Sequence, residues 1–105
     1  MTTGIDVRNG AIYLPAEVAE TYFRGVEAVV VLIGEGCLQV LPVHRMAAGG
    51  CLLKVRNAAG DRVAVAPDVF GVHALENLVA EDLEARWSRE RGALLIDLPS
   101  ALNAN

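Results

Sequence analysis

Two cysteines and two histidines are the residues of this sequence that could hold a soft metal or form a nucleophile with a base. They are Cys37, His44, Cys51 and His73, separated along the chain by 7, 7 and 22 residues. These separations match no zinc pattern, because zinc ligands usually come in close pairs. We therefore expect two reduced core thiols, no metal, no cofactor and no catalytic residues, which is to say a protein that is not an enzyme.

Four basic side chains in predicted strands are candidates for a DNA- or partner-binding patch: Arg8, Lys54, Arg56 and Arg62. Arginine offers a planar pair of donors that fits a phosphate or a carboxylate. We expect the four to meet on one face of the fold, since they occur in two similar hairpins. The alternative is that they are solvated strand charges, paired with Asp6 and Asp61.

The composition is that of a folded protein with one domain, residues 1–105, and an aliphatic core. Apolar residues make up 53% of the chain, charged residues 21% and aromatic residues 5%, and the net charge is −4. An acidic balance works against non-specific nucleic-acid binding. The longest apolar run, residues 28–33, is too short to span a bilayer, and the N-terminus does not resemble a signal peptide. These features predict a cytoplasmic protein that does not bind a membrane.

The first half of the chain predicts a hairpin, a short helix and a second hairpin. Asn9 and Gly10 separate two alternating runs, which is the strongest short signal for a β-hairpin. A helix is expected over Ala16–Phe23, where apolar residues recur at helical spacing after a proline. A second hairpin follows, with the glycine-containing turn at 34–36.

The second half predicts the same order. A hairpin ends at Pro67, a helix is expected over Asp68–Leu78, and a closing hairpin follows. Leu83–Arg91 mixes charges of both signs without Gly or Pro, so a charged helix is the alternative to a strand there. Trp87 in this segment is either a core residue or an exposed binding anchor.

The two halves also share sequence. "VRNGAIYLP" at 7–15 is echoed by "VRNAAGDRVAVAP" at 55–67, and the offset between the halves grows only at predicted loops. We expect internal repeats at about 5–43 and 52–99, joined by a linker at 44–51. Neither unit can close a core alone. The predicted fold is therefore mainly β (α+β): a small closed β-barrel of two hairpin–helix–hairpin repeats with pseudo-two-fold symmetry.

The segments "VRNGAIYLPAEVAETYF" and "EAVVVLIGEGCLQVLPV" resemble the AbrB/MazE/MraZ superfamily of swapped-hairpin barrels. The shared parts are a hairpin with glycine in its turn, a Leu-Pro strand end, a short helix and a final Leu-Pro-Val. In that superfamily two copies, from two chains or one, make a single barrel. The resemblance implies a DNA-binding regulator or antitoxin that contacts DNA through basic residues of the first hairpin. Arg8 matches such a position, and Arg56 is its counterpart in the second copy.

Two functions are consistent with these observations. The first is a small non-catalytic interaction module (an accessory, assembly or antitoxin-like factor) that binds a protein partner. The alternative is a DNA-binding transcriptional regulator of the AbrB/MraZ type. Because both repeats lie in one chain, the barrel needs no second copy to close, and we expect a monomer or a weak dimer.

Overall fold

The computed structural model describes residues 4–43 and 50–99, which form nine strands and two short helices. The elements of the first part are β1 (Ile5–Arg8), β2 (Ala11–Leu14), α1 (Ala16–Tyr22), β3 (Ala28–Gly34) and β4 (Cys37–Val43). Those of the second part are β5 (Gly50–Val55), β6 (Arg62–Val65), α2 (Pro67–Val72), β7 (Val79–Leu83), β8 (Ala85–Ser88) and β9 (Ala93–Asp97). The prediction of a mainly β fold with two helices is confirmed.

All nine strands belong to one antiparallel sheet in the order β7-β1-β2-β6-β5-β3-β4-β9-β8. The sheet curls into a nearly closed barrel. Within the described residues β7 pairs only with β1, and β8 pairs only with β9. The seam of the barrel therefore lies between two strands that are consecutive in the chain.

The hairpin turns follow from residues that accept positive φ. Asn9 and Gly10 have φ values of 48° and 84°, which is the type I′ geometry expected for an Asn-Gly turn. Glu35 and Gly36, with φ of 52° and 74°, turn the chain in the same way between β3 and β4. Both of these hairpins were predicted from the sequence and both are confirmed.

Strands from distant parts of the chain alternate around the barrel. The β1–β2 hairpin lies beside the β5–β6 hairpin through the β2–β6 pair, and the β3–β4 hairpin lies beside β9 through β4. The β3–β5 pair joins these two sets of hairpins. No hairpin is isolated, so the hydrophobic face of each one is closed by hairpins from other segments.

The core is the inside of this barrel. Phe23 and Phe70 are its largest fully buried side chains, and each comes from the end of a helix region that covers the barrel. Around them lie mostly aliphatic residues at alternate strand positions, as a sheet with one buried face requires. No polar or charged residue of the described segments is fully buried.

The helices differ in how well the sequence predicted them. α1 ends one residue before the predicted end. For α2 the predicted end at Leu78 is wrong, since the helix stops at Val72 and Ala74 has a φ of 56°. Gly71 and the β-branched Val72 weaken the last turn, and the chain leaves the helix through tight turns over 73–78.

The closing segment is extended. β7 and β8 occupy most of the region in which a charged helix was the alternative, so the strand interpretation is confirmed. Asp82, whose φ is 55°, lies within β7 at a shift in the β1–β7 register, and Glu84 separates β7 from β8. Of the predicted linker, residues 44–49 lie outside the described residues, and Gly50 and Cys51 already belong to β5.

Candidate interaction surface

The strand register decides which side chains point out of the barrel. Asp6, Tyr13, Val63 and Lys54 are successive partners across β1, β2, β6 and β5. Directly opposed residues of antiparallel strands lie on the same face of the sheet. The neighbouring row, which includes the fully buried Ile12, forms the core. The row that contains Tyr13 therefore faces outward.

Tyr13 is the centre of this outer face. The guanidinium carbon of Arg56 lies 4.6 Å from the centroid of the Tyr13 ring, and that of Arg8 lies 5.1 Å from it. Both distances are within the range of a cation–π interaction. The ring thus holds two arginines that are 48 residues apart in sequence close to one another.

Arg8 is already neutralised within the molecule. Its Nη2 donates to Asp6 Oδ2 at 3.1 Å and to Glu81 Oε2 at 3.2 Å. The alternative that Arg8 is a strand charge paired with Asp6 is therefore correct for this residue. Since 40% of its side chain is exposed, these ion pairs are partly screened by water.

Lys54 and Arg56 carry the free positive charge of this face. Within the described residues neither side chain has a carboxylate within the 4.0 Å of an ion pair, and both are exposed. The backbone N–H of Arg56 donates to the carbonyl of Asp61 at 2.7 Å, which fixes the chain at the end of β5. The charge of Arg56 helps to lower the pKa of Asp61 without forming an ion pair with it, so both cations can still pair with an external anion.

Apolar side chains complete the patch. Val65 is 50% exposed, and Val63 is partly exposed between Tyr13 and Lys54. We call this patch the Tyr13 surface, and it consists of Arg8, Tyr13, Lys54, Arg56, Val63 and Val65. It combines an aromatic ring, aliphatic groups and two cations that have no ion-pair partner among residues 4–43 and 50–99.

Arg62, the fourth basic candidate, does not belong to this surface. It is opposite the fully buried Leu14, so its side chain lies on the inner side at one end of the barrel. Its Nη2 donates to the carbonyls of Val26 and Leu53, both at 2.7 Å. Its Nε is buried and has no hydrogen-bond partner within the part of the chain that the structure describes. Arg62 therefore ties three segments together, which is a structural role.

Asp61, the other expected ion-pair partner, binds no arginine side chain within 4.0 Å in the described part of the chain. It accepts the Nδ2 of Asn57 at 3.0 Å and the N–H of Ala16, the first residue of α1, at 2.8 Å. The bond from Asn57 is the main cause that lowers the pKa of Asp61, and the bond from Ala16 adds to it. Asp61 thus caps a helix that follows a different hairpin.

The soft metal ligands are scattered. Both cysteines are free and partly buried, and burial raises the pKa of the Cys51 thiol. His73 follows α2, while His44 lies outside the described residues. Over residues 4–43 and 50–99 no three His, Cys, Asp or Glu side chains form a group that could hold a metal ion.

Trp87 packs inward on α1. Its ring stacks on Tyr22 with centroids 5.0 Å apart, and meets Phe23 edge to face at 6.2 Å. These are favourable aromatic geometries. Trp87 therefore belongs to the rim of the core, which is one of the two interpretations drawn from the sequence.

Sequence reasoning missed Tyr13, Val63 and Val65 as surface residues. The available signal was strand alternation, since Tyr13 lies between Ile12 and Leu14, which are both core positions. What the sequence did not contain was the β2–β6 register, which brings Tyr13 next to Val63. It also did not reveal that Glu81 would reach Arg8.

Searches against protein-family models, curated proteins and solved structures found no match to this chain. No helix in the described segments has the length and apolar character that crossing a membrane requires.

Proposed function

We propose that this protein is a non-catalytic interaction module that binds a protein partner through the Tyr13 surface. The observation that carries the proposal is Tyr13 itself, an outward-facing ring held between Arg8 and Arg56 beside exposed valines. Tyrosine and arginine are enriched in protein interfaces, where they supply contact area and hydrogen bonds. A ring already held in place by two side chains loses little freedom on binding.

The scaffold of this surface is, in this proposal, a duplicated unit with pseudo-two-fold symmetry. The β2–β6 register supports this, because Ile12 opposes Ala64 and each lies three residues before the proline that follows its strand. The β4–β9 register does the same, since Gln39 opposes Leu95. Each of these two lies three residues after a turn glycine. A two-fold axis that passes between two opposed residues exchanges them, so the two residues must be equivalent positions of the two units. The Ile12–Ala64 and Gln39–Leu95 pairs meet this requirement.

The turn-to-helix contacts also support the duplication. A Cβ added to Gly10 in the first turn would lie 2.9 Å from the Cα of Pro67 at the start of α2. Asp61 in the corresponding second turn binds Ala16 at the start of α1. Each hairpin turn therefore meets the helix of the other unit. Such an exchange is what the resemblance to the swapped-hairpin barrels leads us to expect, and it supports our proposal that the chain belongs to that superfamily.

A single chain satisfies this exchange, and we therefore propose a monomer or a weak dimer. All the strand pairs of the described barrel form within one chain. The seam between β7 and β8 is not a strand pair, and within the described residues each of these strands has one neighbour. Light scattering at increasing concentration tests this. A mass near 11.1 kDa is expected, and a tight dimer at the lowest concentrations would contradict it.

A DNA-binding function receives less support from the charges. Of the four candidate basic residues, Arg8 is occupied by two carboxylates, Arg62 is bound to two carbonyls at one end of the barrel, and Lys54 and Arg56 remain for phosphates. Two phosphate contacts would give a log–log salt slope of only about −2. We expect the protein to pass through a heparin column at low salt, and firm retention would favour the DNA alternative.

The proposal is tested by capturing the partner with a tagged full chain from the cells that contain it. The surface variant carries Tyr13→Ala and Arg56→Ala, and the matched control carries Gln39→Ala and Arg86→Ala on the outer side of β4 and β8. A stoichiometric protein should co-purify with the wild type and the control and be lost with the surface variant. A partner retained by both variants, or by neither, would contradict the proposal.

A further inference from the structure

We infer that the Tyr13 surface binds an extended protein segment in which apolar and acidic residues alternate. This inference rests on the proposed function and names the chemistry of the partner. It is carried by the two kinds of side chain that β6 and β5 present next to each other. Val63 and Val65 on β6 are apolar, and Lys54 on β5 and Arg56 directly after β5 are cationic. Leu52 on β5 adds a further apolar side chain that is 51% exposed.

The apolar part of the surface is a short row along β6. Val63 and Val65 lie two residues apart on one side of the strand, which separates them by about 7 Å. The side chains of an extended segment that point to one side have the same spacing. Two apolar residues at positions i and i+2 of the partner would therefore contact the two valines and remove them from water.

The cationic part lies one strand away. Lys54 opposes Val63 directly, and Arg56 follows two residues later on the same side of the chain. Both are unpaired within the described residues, whereas Arg8 on the other flank is bound by Asp6 and Glu81. Carboxylates at the intervening positions of the partner would reach these two cations. The complementary segment is therefore acidic on the β5 side.

A protein segment fits these side chains better than a nucleic acid does. The phosphates of a nucleic acid would find two cations that lack ion pairs in the described residues, and the exposed Val65 and partly exposed Val63 would gain nothing from contact with a sugar–phosphate backbone. A peptide uses both halves of the surface, and its planar carboxylates fit the arginine donors. Charge complementarity thus selects an acidic peptide.

The test is selection from a displayed library of random peptides of about twelve residues, panned on the immobilised full chain. Two charge-reversal variants are panned in parallel. One carries Lys54→Glu and Arg56→Glu, and the control carries Arg24→Glu and Arg89→Glu, which lie at exposed positions elsewhere. Both variants lower the net charge equally, and circular dichroism confirms that each is folded.

Peptides that alternate Asp or Glu with Val, Ile or Leu should be enriched on the wild type and on the control. A synthetic peptide of the enriched sequence should bind the Lys54→Glu, Arg56→Glu variant at least about tenfold more weakly. Enrichment without acidic residues, no enrichment, or binding unaffected by that variant would overturn the inference. Saturable binding of a DNA duplex that depends on Lys54 and Arg56 would also overturn it.

Failure of this inference differs from failure of the proposed function. If a partner is still lost with the Tyr13→Ala, Arg56→Ala variant while the library shows no acidic preference, the surface binds a protein of other chemistry. If the partner is retained by that variant, the proposed function fails whatever the library shows.

Discussion

Replacing Gly10 by alanine should destabilise the fold more than the same change at Gly25 or Gly60. Gly10 has a φ of 84°, a conformation that costs an L residue about 1–2 kcal/mol. Its added Cβ would also lie 2.9 Å from the Cα of Pro67, so that the turn and the start of α2 must move apart. Such overpacking costs a further ~1–3 kcal/mol. The lower entropy of the unfolded alanine chain offsets about 0.4–1 kcal/mol.

The net expectation for Gly10→Ala is therefore a loss of about 2–4 kcal/mol in the free energy of unfolding. Gly25→Ala is the matched control, because Gly25 has a φ of 74° but no atom of the described residues lies within 4 Å of the added Cβ. Its expected loss is only about 1 kcal/mol. Gly60→Ala should resemble this control, since its Cβ would make an ordinary contact of 3.6 Å with Ala16.

Urea unfolding followed by the fluorescence of Trp87, the single tryptophan, measures the three losses. With a slope of about 1–3 kcal/mol per molar, the midpoint of Gly10→Ala should fall roughly 1 M below that of Gly25→Ala. If the free energies of unfolding of the two variants agree within about 0.5 kcal/mol, the Gly10 turn is not in tight contact with the start of α2. The proposed packing of each hairpin turn on the helix of the other unit is then refuted.

Three further variants test other contacts. Asp61→Ala should lower the melting temperature at pH 7, and its difference from the wild type should shrink as the pH falls below about 4. The reason is that the lowered pKa of Asp61 makes its contribution fully present above the unfolded-state pKa and progressively lost as the pH falls through the folded-state value. A difference in melting temperature that stays constant from pH 7 into the acid range would contradict this. Arg62→Ala should lower the free energy of unfolding, measured in urea, by about 2–4 kcal/mol, because two carbonyls lose a charged hydrogen-bond donor. A loss under about 1 kcal/mol would refute the structural role of Arg62. Trp87→Phe should cost about 1 kcal/mol by thermal melting, since a smaller ring stacks less on Tyr22; an unchanged melting temperature would contradict that packing.

The local elements of the fold were predictable because their causes are local. The Asn9–Gly10 turn, the strands on either side and the start of α1 each depend on a few neighbouring residues. The end of α2 was not predictable from its neighbours, since the apolar residues up to Leu78 suit either a helix or a turn that packs on the barrel. Packing decided between them.

The surface was predictable only in part because it depends on pairing between distant strands. The repeated Val-Arg-Asn motif correctly suggested that Arg8 and Arg56 would come together. Arg62 was grouped with them although its position in the β2–β6 register turns it inward. A shift of one residue in such a register reverses the face of every side chain, and a single sequence does not contain the register.

The most direct test of the Tyr13 surface is photo-cross-linking in living cells from a photoreactive amino acid at position 63. Position 39, on the outer side of β4, serves as the control. We expect a discrete adduct from position 63 alone that resists nuclease, is destroyed by protease, and disappears when Tyr13 and Arg56 are replaced by alanine. A nuclease-sensitive adduct, or equal adducts from both positions, would contradict a protein-binding function for this surface.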